Sequence, residues 1–345
     1  MDALNASSSQ ELALVSVSRE PISDEVISYL GFIFKLVVNP SLQLLGIVAN
    51  VINMAVFYKM GLSDGVTQNF FILSFSDWLF SAFALVNSLT YILQAQVFGG
   101  REVHTEFVHN ASYLAATFPQ TFSLITTVVI AVIRCCCVAM PLRVKYLITA
   151  RRQLAAILIF SASALFILLY AFTPIQVMYV HNARVNISLP MFMEIRWYTY
   201  TLFTNIFFYI GFIVVIICVI ILTISLNRST KFREKSSSGG GAGTSGTETS
   251  GQAKEGRKEA RVVKTVVFLC VIFILCYTPT VIFTLFGTVE PEFSATGFFR
   301  NANAFFLILI VTAMMVNANV NIFVYYLYNS RYRAVFMSMF GEQEK

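Results

Sequence analysis

One carboxylate stands deep inside an apolar block: Asp77, in Leu73-Ser74-Phe75-Ser76-Asp77-Trp78. A charge there is costly unless it is neutralised or paired. Groups able to meet it lie in three other apolar blocks, as Asn50, Ser123, and Asn317 with Asn321. Together they could wrap a small cation such as sodium or hold a hydrogen-bonded water cluster. A protonated Asp77 packed without any ion is the alternative. Arg134 closes another block, in Ala131-Val132-Ile133-Arg134-Cys135. It can snorkel to a polar boundary. It can also pair with an acid on a neighbouring helix and act as a switch, and Glu259, at the start of a later block, is the acid that could serve. Pro279, in Cys276-Tyr277-Thr278-Pro279, removes a helical hydrogen bond. With Phe273 and Tyr277 it makes either a hinge or a static bend.

These residue types bind and switch, and none forms a catalytic set. The three histidines, His104, His109 and His181, fall outside the apolar blocks or at their edges. No nucleophile–base pair, His-Glu pair or paired aspartate occurs within the blocks, so an enzyme is not expected. The six cysteines, Cys135, Cys136, Cys137, Cys218, Cys270 and Cys276, lie in apolar segments or at their ends. They imply no disulfide and match no metal spacing, so no metal and no cofactor is expected beyond an ion at Asp77. A transporter or channel is the rival class. Against it, the chain has no internal repeat and no ring of charge.

The elements that must position these residues are membrane helices. The chain is 57% hydrophobic and only 12% charged, about half the charge of an ordinary soluble domain. Spans are expected near 30–58, 66–95, 106–138, 152–174, 197–226, 262–287 and 299–328. Each exceeds the roughly 20 residues that cross a bilayer as a helix. Six of the 24 basic residues, Arg19, Lys35, Arg101, Arg184, Arg196 and Arg300, would then lie on one side with the N-terminus. The excess on the other side places the N-terminus outside and the C-terminus in the cytosol. The net charge of +6 is a topology signal, and nucleic acid is not an expected partner. No cleavable signal peptide is visible in residues 1–25. The sequons at Asn5 and Asn186 would be open to glycosylation. That at Asn110 lies too near the membrane, and that at Asn227 would face the cytosol. The organisation expected is an extracellular tail (1–28), a seven-helix bundle (29–328) with a flexible cytoplasmic loop (228–257), and a short amphipathic eighth helix with a tail (329–345). Ser236–Gln252, rich in Ser, Gly and Thr, reads as a linker or a phosphorylation target.

Read in order along the chain, these motifs resemble the rhodopsin-like G-protein-coupled receptors. Gly46-Ile47-Val48-Ala49-Asn50-Val51 resembles the family's first-span Gly-Asn motif, and Leu73-Ser74-Phe75-Ser76-Asp77 its Leu-Ala-x-x-Asp motif. Ile133-Arg134-Cys135, with Pro141-Leu142 beyond, resembles Asp-Arg-Tyr and its loop. Cys276-Tyr277-Thr278-Pro279 resembles Cys-Trp-x-Pro, and Asn321-Ile322-Phe323-Val324-Tyr325 resembles Asn-Pro-x-x-Tyr. Asn329-Ser330-Arg331-Tyr332-Arg333 resembles the start of the eighth helix. The resemblance implies a plasma-membrane receptor in the lipid bilayer that passes an extracellular small molecule or peptide ligand's signal to a heterotrimeric G protein. It implies that Arg134 and Leu142 contact the G protein. It makes Arg134, Glu259, Phe273, Tyr277, Pro279, Asn321 and Tyr325 the activation switch, and Asn50, Asp77, Ser123, Asn317 and Asn321 the sodium-site positions.

The departures matter. Ile133 replaces the acid before the arginine, Ile322 the seventh-span proline, and Tyr277 the toggle tryptophan. The cysteine pair that ties the family's outer face is missing, and so are the span-five proline and the span-four tryptophan. The amine-binding aspartate position falls on Ala116 and the retinal-linking lysine position on Met315, which speaks against an amine receptor and an opsin. Gln94, Ala116, Gln120, Tyr277 and Asn303 are the expected pocket, mostly apolar with few polar anchors. Tyr198 and Tyr200 are further polar candidates in the outer halves of the spans, and Glu194, Arg196 and Arg300 stand nearer the mouth. Residues 59–71 and 140–145 also resemble the expanded chemosensory receptors of molluscs, which are similar to invertebrate neuropeptide receptors. A chemosensory cue is therefore favoured over a neuropeptide.

Overall fold

In a computed structural model, the protein is described over residues 22–96, 106–139, 149–172, 177–182, 187–192, 197–238 and 248–340. Asn5, Leu142 and Asn186 lie outside the described residues. The side chains of Gln94 and Glu259 lie outside them too, although both backbones are helical.

Among the described residues, seven helices are long and apolar enough to cross a membrane. Span one is built from Asp24–Ile33, a π-helical turn at Phe34–Val38, and Asn39–Met60. Spans two to seven lie on helices Gly65–Gln96, Glu106–Ala139, Ala150–Phe172, Trp197–Ser238, Glu248–Val289 and Arg300–Tyr328. A short helix, Ser330–Phe340, packs across spans one and seven as the expected eighth helix. We call the end of the bundle at which span one begins the N-terminal face, and the opposite end the C-terminal face.

Residue types set the ends of these elements. Ser23 caps span one, its Oγ accepting from the Val26 N–H, which satisfies one of the orphan donors of a first helical turn. Gly61 ends the span at a φ of 89°, where a side chain is strained. The side chain of Asn329 accepts from the Tyr332 N–H at 3.1 Å and so starts the eighth helix.

Two segments differ from expectation. The loop expected at 228–257 is helical up to Ser238 and again from Glu248. A helix already nucleated in the membrane grows by single residues without a new nucleus. The polar helix formers Lys231, Arg233, Lys254, Glu255 and Lys258 allow that growth on both sides. Only 239–247 lies between the two helices, outside the described residues. The second difference is a two-stranded antiparallel hairpin between spans four and five, β1 (Val177–Asn182) and β2 (Ile187–Phe192), with Val177 opposite Phe192 and Asn182 opposite Ile187.

The bundle buries many polar side chains beside an apolar core and turns other large apolar side chains outward. Tyr58, Phe166, Leu275 and Phe323 turn outward, as side chains facing lipid do. Asn50, Asn53, Ser74, Ser76, Asp77, Ser81 and Thr126 are buried. Between helices in lipid, hydrogen bonds and close packing replace the hydrophobic effect as the source of cohesion. Spans one and two close tightly at Gly46, where an added Cβ would stand 2.6 Å from Ser81 Oγ and 3.3 Å from Ser81 Cβ. Ser81 Oγ is already committed to the Asp77 carbonyl at 2.8 Å. Gly46→Ala is therefore expected to cost about 1–3 kcal/mol by overpacking. The check is a lower melting temperature of the solubilised protein and less of it at the cell surface.

Candidate functional site

The buried carboxylate is held from two sides. Ser123 of span three donates to Asp77 Oδ1 at 2.7 Å, and Asn321 of span seven donates to Oδ2 at 2.8 Å. Asp77 and Asn321 are buried, and so is Asn317, one helical turn before Asn321 on the same face. Asn50 stands apart from the carboxylate. It donates to the carbonyls of Gly46 and Ala318, each at 3.0 Å, and so ties span one to span seven. Three of the expected polar residues thus converge on spans two, three and seven. Below them, the Tyr325 hydroxyl faces the Ser74 hydroxyl, and neither oxygen meets a partner at close hydrogen-bond geometry. Buried orphans of this kind mark room for a water or ion.

A chain of polar contacts leads from Asn50 to the C-terminal face. Asn53 donates to Asn50 Oδ1 at 3.3 Å, and Tyr332 of the eighth helix donates to Asn53 Oδ1 at 2.6 Å. Burial holds the Tyr332 pKa well above the ordinary tyrosine value, so the hydroxyl stays a donor at physiological pH. Its ring packs on Phe57 and Tyr325, with centroids 5.1 and 5.6 Å away. Arg331 donates to the Met60 carbonyl at 2.6 Å and closes the end of span one. The sequence motifs do not disclose this route, because its members lie 279 residues apart in the chain. Tyr332→Phe leaves Asn53 Oδ1 buried with its best donor gone. A loss of about 1–3 kcal/mol follows, to be read as a lower melting temperature with the ring packing retained.

Further contacts clasp spans one and seven. Thr312 donates to Asn39 at 2.9 Å, Asn319 to the Leu42 carbonyl at 2.9 Å, and Arg300 pairs with Asp24 at 3.2 Å. Asn317 and Asn321 share one face of span seven while Asn319 points to the other. The alternating Asn-Ala-Asn-Val-Asn run therefore serves both the carboxylate and span one.

Arg134 sits half-buried at the C-terminal end of span three, next to buried Ile133. At the same face, span six is latched to the eighth helix and to span seven by neutral and cation–π contacts. Arg261 donates to Ser330 Oγ at 3.0 Å, and Lys264 lies 5.1 Å over the Tyr328 ring, which stacks on Phe268 at 4.2 Å. Cys135 donates to the Cys218 carbonyl at 3.4 Å, joining spans three and five. All six cysteines are thiols.

Pro279 interrupts span six as expected. Thr278 Oγ1 donates to the Ile274 carbonyl at 2.7 Å in the turn where the proline withholds its own N–H. Phe273 and Tyr277 pack at 4.4 Å, and Phe208 and Phe212 of span five extend the stack at 5.5 and 6.4 Å. Tyr209 and Thr284 hydroxyls join the same two spans. A second proline, Pro119, interrupts span three, and the proline count alone could have flagged it.

Above this stack a cavity of about 990 Å³ opens among the spans. Ala116, Gln120 and Tyr277 line it as expected, with Leu124, Phe208 and Met315. Tyr277 approaches Gln120, whose Nε2 donates to Met314 Sδ at 3.0 Å. Asn303 does not line the cavity. It is buried and donates to the Phe293 carbonyl at 3.3 Å. The turns of 290–299 bring Phe293 back over span seven, and this claims the amide for the loop.

The geometry is that of a ligand cavity over an aromatic stack, a buried carboxylate network, and a polar route to the opposite face. The family model described as 7 transmembrane receptor (rhodopsin family) matches residues 49–325. The crystal structure of squid rhodopsin has the same fold, with a TM-score of 0.66 and 16% identity over 94% of this chain and 83% of that one. No curated protein sequence matches the chain.

Proposed function

Because the chain belongs to the rhodopsin family of seven-transmembrane receptors, and so is a G-protein-coupled signalling receptor and not an enzyme, we propose that its signal is an external chemosensory cue. The N-terminal face is outside the cell, the C-terminal face meets a heterotrimeric G protein, and the receptor sits in the plasma membrane. The cavity carries this reading. It is large, mostly apolar and lined by Gln120 and Tyr277, so a small molecule lodged against Tyr277 presses on the Phe273–Tyr277 stack before Pro279. Alanine at position 116 and buried methionine at position 315 leave neither an amine counter-ion nor a retinal-linking amine at those positions. Inside the cell, Arg134 and Leu142 contact the G protein.

Nucleotide exchange tests the reading. Membranes carrying the receptor should drive exchange on at least one G-protein class, and Arg134→Ala should bring it down to the level of empty membranes. Absence of exchange on every class, together with substrate flux through the protein, would mark a transporter. Activation by amidated peptides and by no odorant or amino acid would assign a neuropeptide instead. Glycosylation at Asn5 and Asn186 is read on the same material by a mobility shift with glycosidase.

A further inference from the structure

Spans one, two and seven wall one side of the cavity, called here its second lobe. Lys35, Asn39, Gln43, Asn87 and Tyr91 line it. Two independent observations there point to a ligand. Gln43 is 2% exposed and faces the cavity, yet its Oε1 has no hydrogen-bond partner. A buried acceptor without a donor is destabilising, and a donor arriving with a ligand would remove that cost. The second observation is Lys35, whose Nζ stands 4.9 Å over the Tyr91 ring. Among the described residues lining the cavity, Lys35 is the only charged one, and no acid accompanies it. It is carried on the π-helical turn Phe34–Val38, an irregularity that recurs at functional sites.

Eight residues separate Lys35 from Gln43. At the helical rise the two lie about 12 Å apart along span one, with apolar Ile308 and Val311 also on the wall. Resting on the receptor reading above, we propose that this lobe binds an acidic amphiphile. Its carboxylate pairs with Lys35, its chain follows the apolar wall, and a hydroxyl or amide N–H donates to Gln43 Oε1. The ligand's headgroup thus stays near the N-terminal face, while its donor end reaches toward the middle of the bundle.

The test uses the full-length receptor in nanodiscs of zwitterionic lipid and radiolabelled 10-hydroxydecanoate as probe. Saturable binding is expected. Decane-1,10-diol, which lacks the carboxylate, should compete at least about tenfold more weakly, and decanoate, which lacks the hydroxyl, at least about fivefold more weakly. Lys35→Gln should bring hydroxy acid and diol to parity. Gln43→Leu should bring hydroxy acid and decanoate to parity. Absence of saturable binding to the wild type, or an unchanged ratio in either variant, overturns the proposal. Nucleotide exchange is scored separately. Exchange without probe binding removes the acidic amphiphile and leaves the receptor, whereas binding without exchange does the reverse.

Discussion

Ile133→Asp should lower ligand-independent nucleotide exchange by about fivefold to thirtyfold, equivalent to about 1–2 kcal/mol of added hold on the resting state. The reason lies in what restrains the C-terminal face. Ile133 is 7% exposed and apolar, so the residue beside Arg134 offers the guanidinium no carboxylate. Among the described residues there, the Arg261–Ser330 hydrogen bond ties span six to the eighth helix and the Lys264–Tyr328 cation–π pair ties it to span seven. At exposed sites each is worth about 0.5–1 kcal/mol. Contacts of that size add only a modest bias toward the resting arrangement. An aspartate beside Arg134 adds an ion pair in a half-buried setting, where the attraction is several times stronger than in water. Arg261→Ala works in the opposite direction and should raise basal exchange about two- to fivefold. Exchange is measured per receptor at the cell surface, so that reduced folding of either variant is divided out. Equal basal exchange in wild type and Ile133→Asp would refute the weak-latch account.

Seven spans were legible because hydropathy and length act on every residue of a segment at once, and no single contact decides them. The carboxylate network was legible for a related reason. A charge in an apolar block has few ways to be satisfied, so Asp77 points to the few polar residues of other spans, and Ser123 and Asn321 do reach it. Asn50 satisfies two backbone carbonyls instead, and composition cannot tell one acceptor from another. Asn303 was misplaced because its surroundings depend on the loop before span seven, whose path is set by turns and not by periodicity. The hairpin offers only two six-residue runs separated by four residues, too short a signal to read beside apolar blocks. Tyr332 shows the deepest limit. Its place on the eighth helix is a local matter, while the acceptor of its hydroxyl, Asn53, is fixed only when span one packs against it.

Asp77→Asn should abolish the dependence of basal exchange on the monovalent cation while preserving the fold. In the wild type, replacing sodium by choline should raise basal exchange severalfold. Each Asp77 oxygen accepts one hydrogen bond from a neutral donor, and no neutral donor cancels a buried charge. Hard cations take oxygen ligands, and the surroundings supply them as the carboxylate, the Ser123 hydroxyl, the orphaned Ser74 hydroxyl and the buried Asn317 amide. These residues fit a sodium ion, which would bind the resting arrangement of spans two, three and seven and hold it by mass action. Asparagine keeps a carbonyl oxygen for Ser123 but removes the charge that makes a cation worth binding. Asp77→Leu is the harsher comparison. It strands the Ser123 hydroxyl and the Asn321 amide in a dry interior at about 1–3 kcal/mol each, and most of the protein should fail to reach the surface. If the wild type responds equally to sodium and choline while Asp77→Leu still fails to fold, the carboxylate is a structural hub satisfied by a proton. If sodium acts equally on wild type and Asp77→Asn, the ion binds elsewhere.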